Sequence, residues 1–182
     1  MLYELGLVNL VDKIVFRAKG GRLVISQQGE LISMDFPSYP FERTKISADF
    51  KNIVGFDPTE MYSTSSGWVM AVASSEAEII KAKPDFGTMV EKGLGLLMIT
   101  AKGNDVDFVV RCFAPSSGID EDPVTGSAQC GLVPLWNYKT GKTHFKVTQL
   151  SKRTGQLDVT LEKDRVVIKG RAVIVFKADL RI

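Results

Sequence analysis

"GIDEDPVTGSAQCGLVPLW", Gly118 to Trp136, sets three carboxylates, Asp120, Glu121 and Asp122, against a proline and then against a stretch with no charge at all. From Gly126 to about Tyr138 the chain reads as a helix in which Gln129 is the only strongly polar side chain before Asn137. A helix without a polar stripe has to be enclosed on every side. The segments before and after it read as strands, so the sequence predicts an α+β fold in which a sheet or barrel wraps one central helix. Pro134 lies inside that helix and is expected to kink or shorten it, because proline has no amide donor and crowds the preceding turn.

Working outward, "DKIVFRAKGGRLVISQQGELISMDFP" (12–37) alternates about turns at Lys19-Gly20-Gly21 and Gln27-Gln28-Gly29 and predicts a three-strand meander. Pro37 and Pro40 then stop the sheet and make "PSYPF" a linker. "FDPTEMY" (56–62) reads as a helix start, with Asp57 as cap, Pro58 at the first position and Glu60 completing a capping box. "GWVMAVAS" is an apolar strand, and "SEAEIIKAKPDFGTMVEKG" holds short helices broken by Pro84 and ended by Gly93. "LGLLMIT" and "DVDFVVRCFAP" precede the opening stretch as strands; "HFKVTQL", "GQLDVTLE", "RVVIKG" and "RAVIVFKA" come after it.

The chain has 182 residues, 45% hydrophobic and 24% charged, with a formal net charge of +2. Those values fit one large globular domain, or one domain plus part of another, and the scattered charges give no electrostatic footprint for nucleic acid. No apolar run approaches the ~18 residues that span a bilayer, and the first residues lack a signal-peptide pattern. Two cysteines and one histidine are too few for a zinc site. Cys112 and Cys130 read as reduced, buried thiols, which points to the cytoplasm.

The first turn of a helix carries amides without acceptors and a partial positive charge. An acidic side chain just before it is stabilised as the anion. Gly126 lets a ligand approach the backbone, and Ser127 adds a hydroxyl at the same place. The run D-P-x-T-G-S therefore combines a fixed carboxylate, an anion-binding nest and a hydroxyl, a set suited to a small acid whose proton must be moved. The same residues also fit a plain helix cap beside a solvated acidic turn. Residue chemistry alone leaves both readings open.

"RCFAPSSGIDEDPVTGSA" resembles the signature of the phenazine-biosynthesis-protein PhzF family, R-x-F-x-P, a short spacer, then E-D-P-x-T-G-S-A. The match holds at Arg111, Phe113, Pro115, Glu121, Asp122, Pro123, Thr125, Gly126, Ser127 and Ala128. "GLVNLVDKIVFRAKGGRL" and "MDFPSYP" are similar to further family segments, so the resemblance covers nearly the whole chain. It implies the fold of diaminopimelate epimerase, in which two halves each wrap strands around a helix and the site lies in the cleft between them. It implies Asp122 and Ser127 as catalytic residues and Thr125, Gly126 and Arg111 as substrate-binding ones. Arg111 also fits an ion pair with the acidic turn. The related epimerases carry a reactive cysteine at about the Asp122 position; its replacement here disfavours cysteine-based racemisation.

The family's G-N-P, S-E-T-like and G-H-A-T-L-A motifs, which supply its proton-transferring glutamate and a histidine, do not occur in these residues. "MLYELGLVNL" resembles the family segment directly after the last of these motifs, so the resemblance implies that the first third of a usual member is absent. Residues 1–40 then form a remnant of the N-terminal half, and 41–182 a C-terminal domain whose last strand returns to the first half. Glu76 in "SSEAE" falls in the wrong half of the pattern, and His144 matches nothing. Gln129 stands where many eukaryotic relatives have histidine, a departure that bears on what the cleft accepts.

Two functions are compatible with this. One is an isomerase or epimerase moving a proton on a small carboxylic-acid metabolite, without cofactor, metal, nucleic acid or membrane. The other is a shortened, inactive relative serving binding or assembly through bare sheet edges; homodimerisation is compatible with either.

Overall fold

The structure is a computed structural model that describes residues 2–18, 21–175 and 178. The elements, in order, are β1 (Ile14–Ala18), β2 (Gly21–Gln28), β3 (Leu31–Pro37), β4 (Phe41–Thr44) and α1 (Phe50–Val54). Next come β5 (Glu60–Thr64), β6 (Val69–Val72), α2 (Glu76–Lys81), α3 (Phe86–Glu91), β7 (Leu97–Lys102) and β8 (Phe108–Ala114). The last are β9 (Ile119–Asp122), α4 (Gln129–Thr140), β10 (His144–Gln149), β11 (Gly155–Glu162) and β12 (Arg165–Gly170).

Among the described residues, twelve strands share one sheet, in the order β1-β2-β3-β12-β11-β10-β8-β7-β6-β5-β4, with β9 pairing β8 from off that path. Two junctions are parallel, β6 with β7 and β8 with β10. Parallel neighbours need a crossover connection. The first crossover holds α2 and α3, and the second holds β9 and α4.

The alternation of β7 and β8 sorts side chains into two cores. Met98, Phe108, Val110 and Cys112 face α4, while Leu97, Ile99, Val109 and Phe113 face α1–α3. Both faces are therefore buried, which is why these strands read as almost unbroken apolar runs. Strands from both sides of the sheet reach the α4 core: Met34 and Phe36 from β3, third from one end, and Phe41 from β4 at the other. The predicted enclosure is present from Gln129 through Trp136 apart from Pro134, whereas Tyr138 is 74% exposed. Gly131 permits the close approach: a Cβ there would meet Thr64 Cγ2 at 3.1 Å and Met70 Sδ at 3.3 Å.

Pro134 does not end α4, which runs six residues beyond it to Thr140. A proline leaves the carbonyl four residues earlier without its helical donor. That carbonyl belongs to Cys130, and it accepts from the backbone amide of Tyr39 at 2.8 Å. The vacancy left by the proline thus docks the β3–β4 linker onto the helix.

Three local expectations are corrected. "FDPTEMY" starts no helix: Asp57 pairs with Lys51 at 2.6 Å, and Glu60 begins β5. The helix lies upstream as α1, ended by Gly55 at a φ of 103°. The acidic run is a strand rather than a turn, with Asp122 opposite Cys112 in the β8–β9 ladder. In "RAVIVFKA", residues Arg171–Val175 pair with no strand among the described residues, and Val173 and Val175 are 82% and 86% exposed. Phe176 and Lys177 lie outside the described residues, as do Lys19 and Gly20 of the first predicted turn.

Candidate active site

β8, β9 and the entry to α4 bring the predicted residues together. Asp122 ends β9, and its Oδ2 accepts from the Thr125 hydroxyl at 2.6 Å. The Thr125 amide donates to Gln149 Oε1 at 2.8 Å. Gln149 Nε2 returns the contact, donating to the Asp122 carbonyl at 2.7 Å and to Thr125 Oγ1 at 3.1 Å. The Ser151 hydroxyl donates to the Pro123 carbonyl at 2.7 Å. The carboxylate, the proline and the threonine are thereby fixed to the end of β10 on both sides of the turn. A clamp built from hydrogen bonds on fully used donors and acceptors holds geometry well.

Thr125 is buried with its hydroxyl and amide both engaged, so it positions Asp122. Arg111 is likewise occupied. Its Nε and Nη2 grip Glu121 at 2.8 and 3.0 Å, and Nη1 donates to the Ile79 and Ala82 carbonyls at 3.0 and 2.9 Å. Its guanidinium also lies 5.0 Å from the Phe113 ring centre. The bidentate pair ties β9 to β8 and both to the end of α2. Of the alternatives open for Arg111, the ion pair is the one formed.

The entry to α4 differs from an ordinary cap. The helix begins at Gln129 rather than Gly126, its N-cap is Ala128, and no side chain accepts from its first-turn amides. The turn closes through backbone bonds alone, Gln129 to the Gly126 carbonyl and Cys130 to the Ser127 carbonyl, each at 3.1 Å. Among the described residues nothing accepts from the amides of Gly126, Ser127 or Ala128, and the Ser127 hydroxyl has no partner. Gly126 is not required by its surroundings: it is absent from the positive-φ glycines, and a Cβ there would make ordinary contact with Met34 Cε at 3.5 Å.

Burial pushes the Cys112 thiol up to about 12 and does the same, to about 12, for Cys130. Both are free and stay protonated. Glu76 is occupied in accepting from the Asn104 amide at 2.7 Å, and His144 pairs with Thr160 and Asp158 on the exposed side of β10. Neither joins the cluster. Sequence reasoning missed Gln149. Its signal was a polar residue at an inward position of the alternating "HFKVTQL", two residues after buried Val147 and at the strand end.

The wrapped-helix architecture is shared with a protein from Pseudomonas aeruginosa solved as a predicted epimerase, which superposes with a TM-score of 0.63 over 97% of this chain and 71% of that one. At 19% identity the likeness speaks to fold alone, and the fold it defines is the epimerase-like α+β one. The chain belongs to the family of phenazine biosynthesis-like proteins, PhzC-PhzF, whose family model matches residues 2–178. An uncharacterized isomerase of Halalkalibacterium halodurans is 34% identical over 99% of this chain and 69% of its own length. The crystal structure of a PhzF-family protein from Enterococcus faecalis has a TM-score of 0.89 at 29% identity, covering 100% of this chain and 69% of that one. The chain spans about two thirds of the length of the relatives it matches. No described helix is long and apolar enough to cross a membrane.

Proposed function

We propose that the chain forms the acid-binding side of a PhzF-like isomerase or epimerase that moves a proton on a small carboxylic-acid metabolite without a cofactor. The reading is carried by one observation: three amides at the mouth of a buried helix, Gly126 to Ala128, lack acceptors beside a carboxylate that the fold has anchored. Amides aimed out of a helix end favour an anion. A substrate carboxylate at Gly126 and Ser127 would take those donors and the Ser127 hydroxyl. Asp122, held at Oδ2 by Thr125, keeps Oδ1 for a donor on the substrate or for a transferred proton. Thr125 acts through Asp122, and Arg111 acts through Glu121 by holding β9.

The names of the relatives support an isomerase, and in this reading the family's proton-transferring glutamate, whose S-E-T motif these residues lack, would be supplied from elsewhere. The meander β1–β3 then belongs to the opposite half of the cleft. The test is binding and then exchange. Small carboxylates are expected to shift the Gly126–Ala128 amide resonances, and Asp122→Ala is expected to abolish their calorimetric binding. The full-length protein should exchange a carbon-bound proton of its substrate for deuterium. Unchanged affinity in a folded Asp122→Ala variant would remove Asp122 from the site.

A further inference from the structure

The turn that joins β10 to β11 is held rigidly against the chain just after Asp122. Ser151 Oγ donates to the Pro123 carbonyl at 2.7 Å and accepts from the Thr154 amide at 3.2 Å. The same amide reaches the Ser151 carbonyl at 3.0 Å. Thr154 has a φ of 58°, a region that β-branched residues rarely enter and keep only where their surroundings impose it. Gly155 is part of that constraint, since a Cβ there would collide with the Val124 side chain. One conformation of the turn is therefore locked onto Pro123 and Val124.

That turn presents positive charge with nothing to balance it. Lys152 and Arg153 are exposed, and neither has a partner among the described residues. Nor does anything described accept from the amides of Ser151, Lys152 or Arg153. Lys152 and Arg153 border a surface hollow of about 460 Å³ whose other walls are Glu121, Pro123 and Ser151. Glu121 is the one carboxylate of that lining, and Arg111 already takes both of its oxygens, at 2.8 and 3.0 Å. Successive side chains of a strand point to opposite faces, so the hollow on the Glu121 side of β9 lies behind Asp122 and apart from the helix mouth.

We propose that this hollow is a second anion site, one that takes a phosphate group, free or carried on a small metabolite. The planar fork of Arg153 matches two phosphate oxygens at once, and Lys152 adds a compact charge for a third. Consecutive turn amides form a concavity that favours an anion. A carboxylate has two oxygens and one charge, enough for the arginine alone, whereas a phosphate engages both cations. Pro123 gives an organic remainder an apolar wall. The proposal stands independently of the carboxylate site at Gly126–Ala128.

The test titrates the 182-residue chain with inorganic phosphate at fixed ionic strength, set with chloride, and follows backbone amide resonances. Saturable shifts are expected at Ser151, Lys152 and Arg153. Lys152→Gln and Arg153→Gln, both at exposed positions, are each expected to weaken binding about 10-fold, and the double variant to abolish it. Lys163→Gln, on the exposed turn between β11 and β12, should leave the affinity within about 2-fold. Glycerol 1-phosphate distinguishes the sources: tighter binding than inorganic phosphate supports a phosphorylated metabolite, and equal or weaker binding supports free phosphate. Shifts that rise linearly without saturating overturn the proposal, as does an affinity unchanged in the double variant. An equal loss in Lys163→Gln would reduce the effect to diffuse attraction and overturn it too. Shifts confined to Gly126–Ala128 would move the anion to the helix mouth, overturning this site while sparing the other.

Discussion

Replacing Gln149 with leucine keeps the volume and removes the clamp. Three hydrogen bonds disappear, from the Thr125 amide at 2.8 Å, to the Asp122 carbonyl at 2.7 Å and to Thr125 Oγ1 at 3.1 Å. Gln149 is 0% exposed and Thr125 7%, so water reaches the Thr125 amide poorly once its partner is gone. The hydroxyl keeps its bond to Asp122, and the half-buried Asp122 carbonyl regains some solvent. The lasting damage is one well-buried donor and one partly buried acceptor. At about 1–3 kcal/mol for each stranded group, the loss is about 3 kcal/mol. For a chain of this size that lowers Tm by about 6–12 °C. Urea denaturation is the assay, with the midpoint falling and the slope unchanged. Carboxylate affinity at low temperature should fall in the still-folded variant, because Asp122 and the amide mouth are no longer tied to β10. A loss below about 1 kcal/mol with affinity intact would refute the clamp.

Arg111→Lys should cost about 2 kcal/mol, since lysine cannot reproduce the bidentate grip on Glu121 together with both carbonyl bonds. Acid affinity should stay within about 2-fold once the lost stability is allowed for; a loss of binding larger than that would return Arg111 to direct substrate contact. Pro134→Ala should gain well under the ~3 kcal/mol expected of an interior helix proline, because Tyr39 already satisfies the Cys130 carbonyl. Hydrogen exchange of the Tyr39 amide should speed up in that variant, and a full gain would show the linker contact to be idle. A hydrogen bond from Lys142 holds Asp107 below its ordinary value of 3.8, and one from Lys139 does the same for Glu60 below 4.5. As acid is added the unfolded chain takes up these protons first, so their contribution is full above the ordinary values and fades as pH falls through the lower folded-state ones. The urea midpoint of the unaltered protein should therefore exceed that of Asp107→Asn near pH 7, with the gap closing below about pH 4.

Much of the fold was legible because buried strands alternate visibly. The meander, both strands β7 and β8, and the three strands after α4 fall where the pattern put them. Gln129 through Trp136 showed the need for enclosure through composition alone. "FDPTEMY" misled because its capping residues have tertiary partners: Lys51 takes Asp57, and Lys139 and Tyr62 take Glu60. Local propensity could not foresee those neighbours. At the proposed site, residue chemistry left Asp122, Gly126 and Ser127 open between a helix cap and a binding nest, and the family resemblance singled them out. The parts assigned to Thr125 and Arg111 depended on whether their donors were already spoken for, which is a property of packing. Gln149 and Gln129 look alike in sequence, yet the first amide is fully engaged and the second is buried with no partner among the described residues. That difference depends on which neighbours the fold brings within reach.

The junction of β3 with β12 carries a consequence for biogenesis. Arg165 Nε meets Asp35 Oδ1 at 2.7 Å across a separation of 130 residues. On a ribosome adding roughly 5–20 residues per second, the outer side of β3 therefore waits about 6–26 s for its permanent neighbour. Half-exposed Met34 and Phe36 lie open through that interval, and so does a row of unpaired peptide groups. Long-range pairing of this kind slows folding and leaves a template for the wrong strand. Expression temperature and translation speed should accordingly govern soluble yield more than the equilibrium stability of the finished sheet does.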